Sequence, residues 1–310
     1  MKYNNIMMDL HTHTIYSDGK LSPDQIVKRA IDHQIDVLAI TDHDTLESYK
    51  HLTQSDFQSN ITIIPGVELT TKSQLLHMTD FHLVVLFPQL ALGQRKCTQH
   101  LKHQYFLKLQ QILNLNSQNR TKRMKKLIQH LITENQLNIS WEEFFEYHLV
   151  HDKNKQLIQK YSIAKYLISK QIVDSVQQAF DLYLNYEMAT SKPLILEAMI
   201  KLAVKMRAVP ILAHPLQSTK ISSDLTKCFS IWQKLGLKII EIEHPTMSIS
   251  DKEYLKVIAK QNNFYQSIAS DFHSDERSLN WQSDFGNSEG NLRVSNQEKI
   301  KTLDYIFSAK

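Results

Sequence analysis

The sequence predicts an α/β fold in which strands alternate with helices, interrupted by one long helical block. Three observations predict it. Short apolar runs with the length of buried strands recur at 6–10, 37–40, 61–64, 209–213, 238–242 and 265–269. Segments with helix start signals fall between many of them. From Gly93 to Pro193 the 99 intervening residues include neither glycine nor proline, so the usual helix breakers are missing there. Repeated strand and helix imply a parallel sheet, closed or open.

The elements follow in order. After the first run, Ser22-Pro23-Asp24-Gln25 reads as an N-cap, a proline at the first helical position and a capping box. Ile26, Val27, Ala30 and Ile31 then give that helix an apolar face. Inside the block, Met124, Leu127, Ile128 and Leu131 have helical spacing, as do Ile163, Ala164, Leu167 and Ile168. Gly236 is placed to end a helix before the run at 238–242. Ser250-Asp251-Lys252-Glu253 reads as a second capping box, followed by Tyr254, Leu255, Val257 and Ile258. The polar stretch 274–294 reads as loop.

The chain has 310 residues, 42% hydrophobic and 22% charged, enough for one large α/β barrel or two ordinary domains. No apolar run reaches the ~18 residues of a membrane helix, and the start lacks the pattern of a signal peptide. Only Cys97 and Cys228 occur, far apart, so no disulfide framework is expected and a reducing cytoplasm fits. The formal charge is +4, unevenly spread. Residues 94–192 carry 15 Lys and Arg against 8 Asp and Glu, so the rest of the chain is slightly acidic. Such a block is either a solvated helical surface or a basic face for a phosphate-rich ligand. The cluster Arg120, Lys122, Arg123, Lys125 and Lys126 reads as a solvated helix face.

The chemistry lies where the apolar runs end. They lead into His11 and His13, into Asp42-His43-Asp44, into Glu68, into His214, into Glu243-His244, and into Asp271 and His273. In parallel α/β folds that end of the strands is where sites are built. One histidine after a strand is usually a loop or core residue; six such junctions together indicate a cluster. Imidazole with carboxylate and no thiolate suits Zn²⁺, Mn²⁺ or Fe²⁺. His11 and His13 lie two apart on extended chain and can share one ion, while Asp18 precedes the turn residue Gly19. Several carboxylates among many imidazoles suggest more than one ion, and paired ions suit in-line displacement at phosphorus. No serine or cysteine nucleophile motif competes.

These residues resemble the PHP (polymerase and histidinol phosphatase) superfamily of metal-dependent phosphoesterases. The matching motifs are Asp9-Leu-His11-Thr-His13-Thr-Ile-Tyr-Ser17-Asp18-Gly19, Ile40-Thr-Asp42-His43-Asp44, Gly66-Val-Glu68, Phe81-His82-Leu-Val-Val, Ala213-His214-Pro215 and Ser270-Asp271-Phe-His273. The resemblance implies a distorted (β/α)7 barrel, residues 1–93 and 193–310, with 94–192 as an inserted helical domain forming a substrate-side lid. It implies two or three divalent ions, Mn²⁺ foremost, with Zn²⁺ or Fe²⁺ as alternatives. His11, His13, Glu68 and Asp271 would hold the first; Glu68, His82 and His214 the second; Asp18, His43 and His273 the third. Of these nine positions only His82 escapes the strand-end pattern, because it opens an apolar run.

Within the superfamily the chain looks most like the ribonuclease AM and nucleoside 3′,5′-bisphosphate phosphatase branch. Ser162-Ile-Ala164-Lys-Tyr-Leu167, Ala179-Phe180-Asp-Leu-Tyr183-Leu184 and Glu241-Ile-Glu-His244-Pro245 carry that likeness. The function implied is hydrolysis of nucleotide phosphate esters, or stepwise 5′ attack on short RNA, by a metal-bound hydroxide. His244 and Asp271 would be catalytic, and Lys160, Ser162 and His244 would bind substrate. Lys160 and Ser162 stand where relatives carry an Arg and a His, Met247 near another His, and Ser274 for a Gly; the substrate grip therefore departs from the pattern. Asp42 and Asp44 are expected to orient ligands or to cap strand ends. The alternatives are a phosphatase for a small monoester such as histidinol phosphate, and a metal-holding scaffold that binds RNA or a protein partner.

Overall fold

The structure, a computed structural model, describes residues 6–52, 61–91, 104–152, 157–185, 193–217, 219–245, 247–274 and 294–308. The chain forms two compact units, one of Met1–Lys108 with Leu194–Lys310 and one of Leu109–Pro193. The expected loop at 274–294 lies, apart from its end residues, outside the described residues.

The first unit is a distorted (β/α)7 barrel. Its strands are β1 (Met8–Thr12), β2 (Val37–Ile40), β3 (Thr62–Ser73), β4 (Thr79–Leu86), β5 (Leu194–Ile195), β6 (Val209–Ala213), β7 (Ile239–Glu243) and β8 (Tyr265–Ile268). They pair in the order β1-β2-β3-β4-β6-β7-β8, with the short β5 alongside β3. A parallel bridge between Thr12 and Phe272 brings the two ends of the sheet together. The sheet is not uniformly parallel, as the alternation of strand and helix suggested. β4 runs antiparallel to both β3 and β6. The cause is local: β3 continues past Pro65 and Gly66 to Ser73, then reverses through residues 74–78, where His77 and Met78 take positive φ. A Cβ at Gly66 would meet Leu86 Cδ2 at 2.7 Å and Val85 O at 3.1 Å, so a larger residue at this crossing would require Leu86 to shift.

Alternation sorts each strand into an inner and an outer face. Met8, Leu10, Val37, Ala39, Ile64, Val84, Leu86, Val209, Ile211, Ala213 and Ile239 join one buried cluster inside the barrel. Leu303 and Ile306 of the last helix, Asn296–Ser308, belong to the same cluster. That helix is tied to the start of β1, since Asn296 Oδ1 accepts from Ile6 N at 2.8 Å and Lys299 Nζ donates to Ile6 O at 3.3 Å.

Helices α1 (Pro23–Asp32), α6 (Leu196–Lys205), α7 (Ser223–Leu235) and α8 (Ile249–Asn262) belong to this unit. α1 starts at Ser22, whose backbone N donates to Gln25 Oε1 at 2.9 Å, and it buries Ile26, Val27 and Ala30. Gly236 ends α7 in the left-handed conformation, φ 109°. The second capping box sits two residues earlier than the sequence suggested. Ser248, not Ser250, caps α8, with Ser248 Oγ accepting from Asp251 N at 3.2 Å. Both serine pairs have the three-residue spacing of the motif, and extended backbone at Ser248 selects the first.

The second unit is helical among its described residues. It comprises α2 (Gln104–Thr133) from Leu109 onward, α3 (Trp141–His151), α4 (Lys160–Ser169) and α5 (Val176–Ala179), which runs on into a π turn at Phe180–Leu184. Leu127, Ile128, Leu131, Phe144, Ile163, Ala164, Leu167 and Leu184 form its core. Ser140 caps α3 through Glu143 N, and Ser175 caps α5 through Gln178 N, each at 3.1 Å. Lys122, Lys125 and Lys126 are exposed on α2, whereas Arg120 is buried. Among the described residues no helix is long and apolar enough to cross a membrane.

Candidate metal centre

The site is built at one end of the barrel, one layer beyond its apolar core. Continuing the inner-face alternation by two residues leads from Ile64 and Gly66 to Glu68, from Val84 back to His82, from Ala39 and Thr41 to His43, and from Tyr265 and Ala269 to Asp271. Two positions obey a different rule. In β1 the inner residues are even-numbered, yet His11 and His13 reach the cluster. The pairing of β1 with β2 shifts between Asp9 and Thr12, and this extra residue exchanges the faces. After β6, His214 takes φ 25°, a conformation that non-glycine residues avoid, and its ring joins the cluster out of alternation. Asp271, two residues on from Ala269, also takes a positive φ, 48°.

Glu68 is the hub. It has no exposed surface and is surrounded by five imidazoles. Oε2 lies 3.1 Å from His11 Nε2, 3.2 Å from His13 Nε2 and 3.0 Å from His43 Nδ1. Oε1 lies 2.8 Å from His82 Nδ1 and 3.1 Å from His214 Nε2. Asp271 Oδ1 lies 3.1 Å from His13 Nε2 and 3.5 Å from His11 Nε2. Asp18 reaches His273 Nε2 at 3.1 Å and His43 Nε2 at 3.8 Å. Among the described residues, three groups offer possible ligand atoms all within 4.8 Å of one another: His11, His13, Glu68 and Asp271; His13, Asp18, His43 and His273; and His43, Glu68 and His82. The last contains His43, on Oε2 of Glu68, where the sequence suggested His214, which shares Oε1 with His82.

Hydrogen bonds hold this arrangement from behind. Asp42 accepts from Thr14 N, Thr14 Oγ1 and Ser17 Oγ, each at 2.7 Å, and so shapes the loop that carries Asp18. Asp44 Oδ1 accepts from Thr70 N at 3.1 Å, a bond to the neighbouring strand. Asp9 Oδ1 accepts from His11 N and Ser270 N, each at 3.3 Å, joining the segments that carry His11 and Asp271. The buried Tyr49 hydroxyl links Ile40 O with Gly66 N. His244 is fully buried, its Nε2 3.2 Å from Asp271 Oδ2 and its Nδ1 3.3 Å from Gln217 Nε2. Glu241 lies beneath His11, Oε1 2.9 Å from Nδ1, and accepts from the backbone N of His214 at 2.8 Å. Asp9 and Glu241 were not among the candidate site residues. A carboxylate on the inner face of a barrel strand is the signal that marks Glu241.

The donor set fits divalent cations. His11 Nε2, His13 Nε2, His43 Nδ1 and Glu68 Oε2 are buried, and among the described residues no hydrogen bond satisfies them, although they lie about 3 Å apart. Lone pairs aimed at one another from that distance repel unless positive charge lies between them. Without a cation, protons take that role. Burial opposes charge on His13, but Asp271 and Glu68 outweigh it and raise its pKa to about 10. Burial likewise opposes charge on His11 and His43, which Glu68 nevertheless holds above the usual imidazole range. Burial would raise Glu68 and Asp271; the surrounding histidines hold both well below the usual carboxylate range. His244 is the exception, lowered by burial.

Lys160 and Ser162 belong to the helical unit, at the start of α4. Ser162 is buried and its side chain hydrogen-bonds to Asp152. Met247 is buried, with its backbone N donating to His244 O at 3.1 Å, and Ser274 is buried directly after His273.

The PHP domain family model matches residues 9–204. The chain is 22% identical over 275 residues to the 5′-3′ exoribonuclease Rnm of Salmonella typhimurium, covering 86% of this chain and 85% of that protein. It is 21% identical over 276 residues to the 3′,5′-nucleoside bisphosphate phosphatase of Chromobacterium violaceum, covering 86% and 87%. Among solved structures, a Chromobacterium violaceum amidohydrolase with bound sulfate and no metal superposes with a TM-score of 0.68 at 22% identity, covering 92% of both chains. A metal-dependent phosphoesterase from Bifidobacterium adolescentis also gives 0.68, at 19% identity, covering 97% and 96%.

Proposed function

Because the chain belongs to the PHP domain family, we propose that it is a metal-dependent phosphoesterase whose substrates are nucleotides, either nucleoside 3′,5′-bisphosphates or the 5′ ends of short RNA. One observation carries the hydrolytic reading: Glu68 stands among five imidazoles, and the three nitrogens that converge on its Oε2 are buried and, among the described residues, unsatisfied by hydrogen bonds. His11, His13, Glu68 and Asp271 would hold one ion. Glu68 and His82, with His43 and His214 on either side, would hold a second. Asp18, His43 and His273 would hold a third. Bound divalent ions, Mn²⁺ foremost, would supply charge that neutralises a phosphate and acidifies water.

The remaining work falls to the protein's own groups. Glu68 sets the spacing of its imidazoles. Neutral His244 donates from Nε2 to Asp271 Oδ2 and leaves Oδ1 facing His11 and His13. That hydrogen bond also makes His244 the group through which a proton would be exchanged at Asp271. The nucleotide class is supported by the names of the two full-length relatives. The excess of Lys and Arg in 94–192 supports it too, since phosphate-rich ligands favour such surfaces. The grip on a second phosphate expected of Lys160 and Ser162 rests on the sequence motif alone.

The test is release of phosphate or mononucleotide with added Mn²⁺ from adenosine 3′,5′-bisphosphate, a 5′-phosphorylated RNA pentamer and histidinol phosphate, with Asp271→Ala as control. Release from the first two, absent in the control, is expected. Preferential release from histidinol phosphate would replace the nucleotide reading. No release from any substrate by metal-loaded protein would favour the scaffold reading.

A further inference from the structure

We propose that Glu241 is a positioning residue that sets ligands of two of the proposed ion sites at once. This rests on the metal-centre reading above and adds to it a residue that coordinates nothing itself. Glu241 is only 1% exposed. It shares the inner face of β7 with Ile239 of the barrel core, so alternation carries a carboxylate into the buried interior. After it, the pairing of β7 with β8 shifts, and Glu243 turns to Lys252 and Lys256 of α8 instead. Glu241 is thus the β7 carboxylate left inside, and both of its oxygens are engaged.

The first arm fixes a tautomer. An ionised carboxylate only accepts, so His11 donates to Oε1 from Nδ1 at 2.9 Å. The opposite nitrogen, Nε2, then presents its lone pair towards Glu68 Oε2 at 3.1 Å and Asp271 Oδ1 at 3.5 Å. The second arm holds strained backbone. Oε2 accepts from the N–H of His214, the residue whose φ of 25° carries its ring out of alternation to within 3.1 Å of Glu68 Oε1. His11 lies on one oxygen of Glu68 and His214 on the other, so one planar group behind the cluster couples the two sides of the hub. Carboxylates behind metal-bound histidines typically contribute 10–100-fold to metal affinity.

The experiment is Mn²⁺ titration of wild type and Glu241→Gln by calorimetry, with metal content measured after dialysis. It is paired with ¹⁵N NMR of His11 in the Zn²⁺-loaded wild type. Glutamine replaces one of the two carboxylate oxygens by an NH2 donor, so one of the two N–H groups, which meet different oxygens, loses its acceptor. The variant is expected to lose 10–100-fold in affinity for the ions at Glu68 while keeping the ion at Asp18, His43 and His273. The wild-type His11 signals should show the proton on Nδ1. Equal affinity in the two proteins overturns the proposal, as does a wild-type His11 protonated on Nε2; the NMR result decides even if the variant does not fold. Wild type that takes up no Mn²⁺ at all would instead overturn the metal-centre reading.

Discussion

Glu68 in the barrel and Asp152 in the helical unit are both carboxylates set against imidazole, and both are held well below the usual carboxylate range. Their surroundings differ in one respect. Asp152, at the end of α3, has a partner for each oxygen: His148 Nδ1 at 2.6 Å on Oδ2 and Lys165 Nζ at 3.2 Å on Oδ1, with Ser162 hydrogen-bonded as well. Glu68 has five imidazoles and, among the described residues, no lysine or arginine partner, and one of its oxygens has no hydrogen bond. A satisfied carboxylate joins two helices. An over-coordinated, unsatisfied one is arranged for a cation. The same residue types therefore give a structural staple or a reaction centre, according to whether protons on the neighbours can complete the bonding.

Glu68→Ala should break the comparison from the barrel side. Turnover is expected to fall by more than about 10³-fold with loss of bound metal, because five imidazoles lose the carboxylate they share. Mass-spectrometric metal content and phosphate release measure it, and a metal-replete, active variant would refute the hub. The next effect is pH-dependent. His13, with a pKa of about 10, keeps its proton through neutral pH in the metal-free protein. A cation must displace that proton, so Mn²⁺ affinity should rise by up to about tenfold per pH unit from pH 6 to 9. Calorimetry in buffers of different ionisation enthalpy should detect the released proton; affinity flat with pH would refute this.

From the helical side, Phe144→Ala removes a fully buried ring and should destabilise that unit by about 3–5 kcal/mol in denaturant unfolding, leaving metal content unchanged. Asp152→Asn should cost about 1 kcal/mol, the value of a charged hydrogen bond reduced for partial exposure. Its sign with pH follows from the lowered pKa. The native contribution is complete above the ordinary carboxylate range, and it is lost as pH falls through and below about 4. The wild-type advantage over Asp152→Asn should therefore vanish in acid; an advantage constant down to pH 2 would show that charge is irrelevant there. Smallest of all, joint alanine replacement of Lys122, Lys125 and Lys126 should shift stability by no more than about 0.5 kcal/mol per site, with Lys125 giving up a cation–π contact to Trp141.

Much of this was legible in the sequence. Apolar runs followed by His, Asp or Glu located β2 and β6 at their true bounds and the other parallel strands of the main path to within a few residues at their starts; β3 runs on to Ser73. Helical spacing identified the core residues Leu127, Ile128, Leu131, Ile163, Ala164 and Leu167. His82 became visible only through the family resemblance. The structure supplies the reason: β4 is antiparallel, so the end that meets the cluster is its beginning. Side-chain alternation reads the same in either direction along a strand and carries no record of which way the strand runs.

Local sequence determined the residue types, the element periods and the chemistry that imidazole and carboxylate can perform. Tertiary structure decided which of them meet. A one-residue shift in β1 turned His11 and His13 inward, a positive φ carried His214 into the cluster, and a shift after Glu241 separated it from Glu243. Each depends on how a strand pairs with neighbours distant in the chain, and pairing energy is set by contacts that no window of local sequence contains.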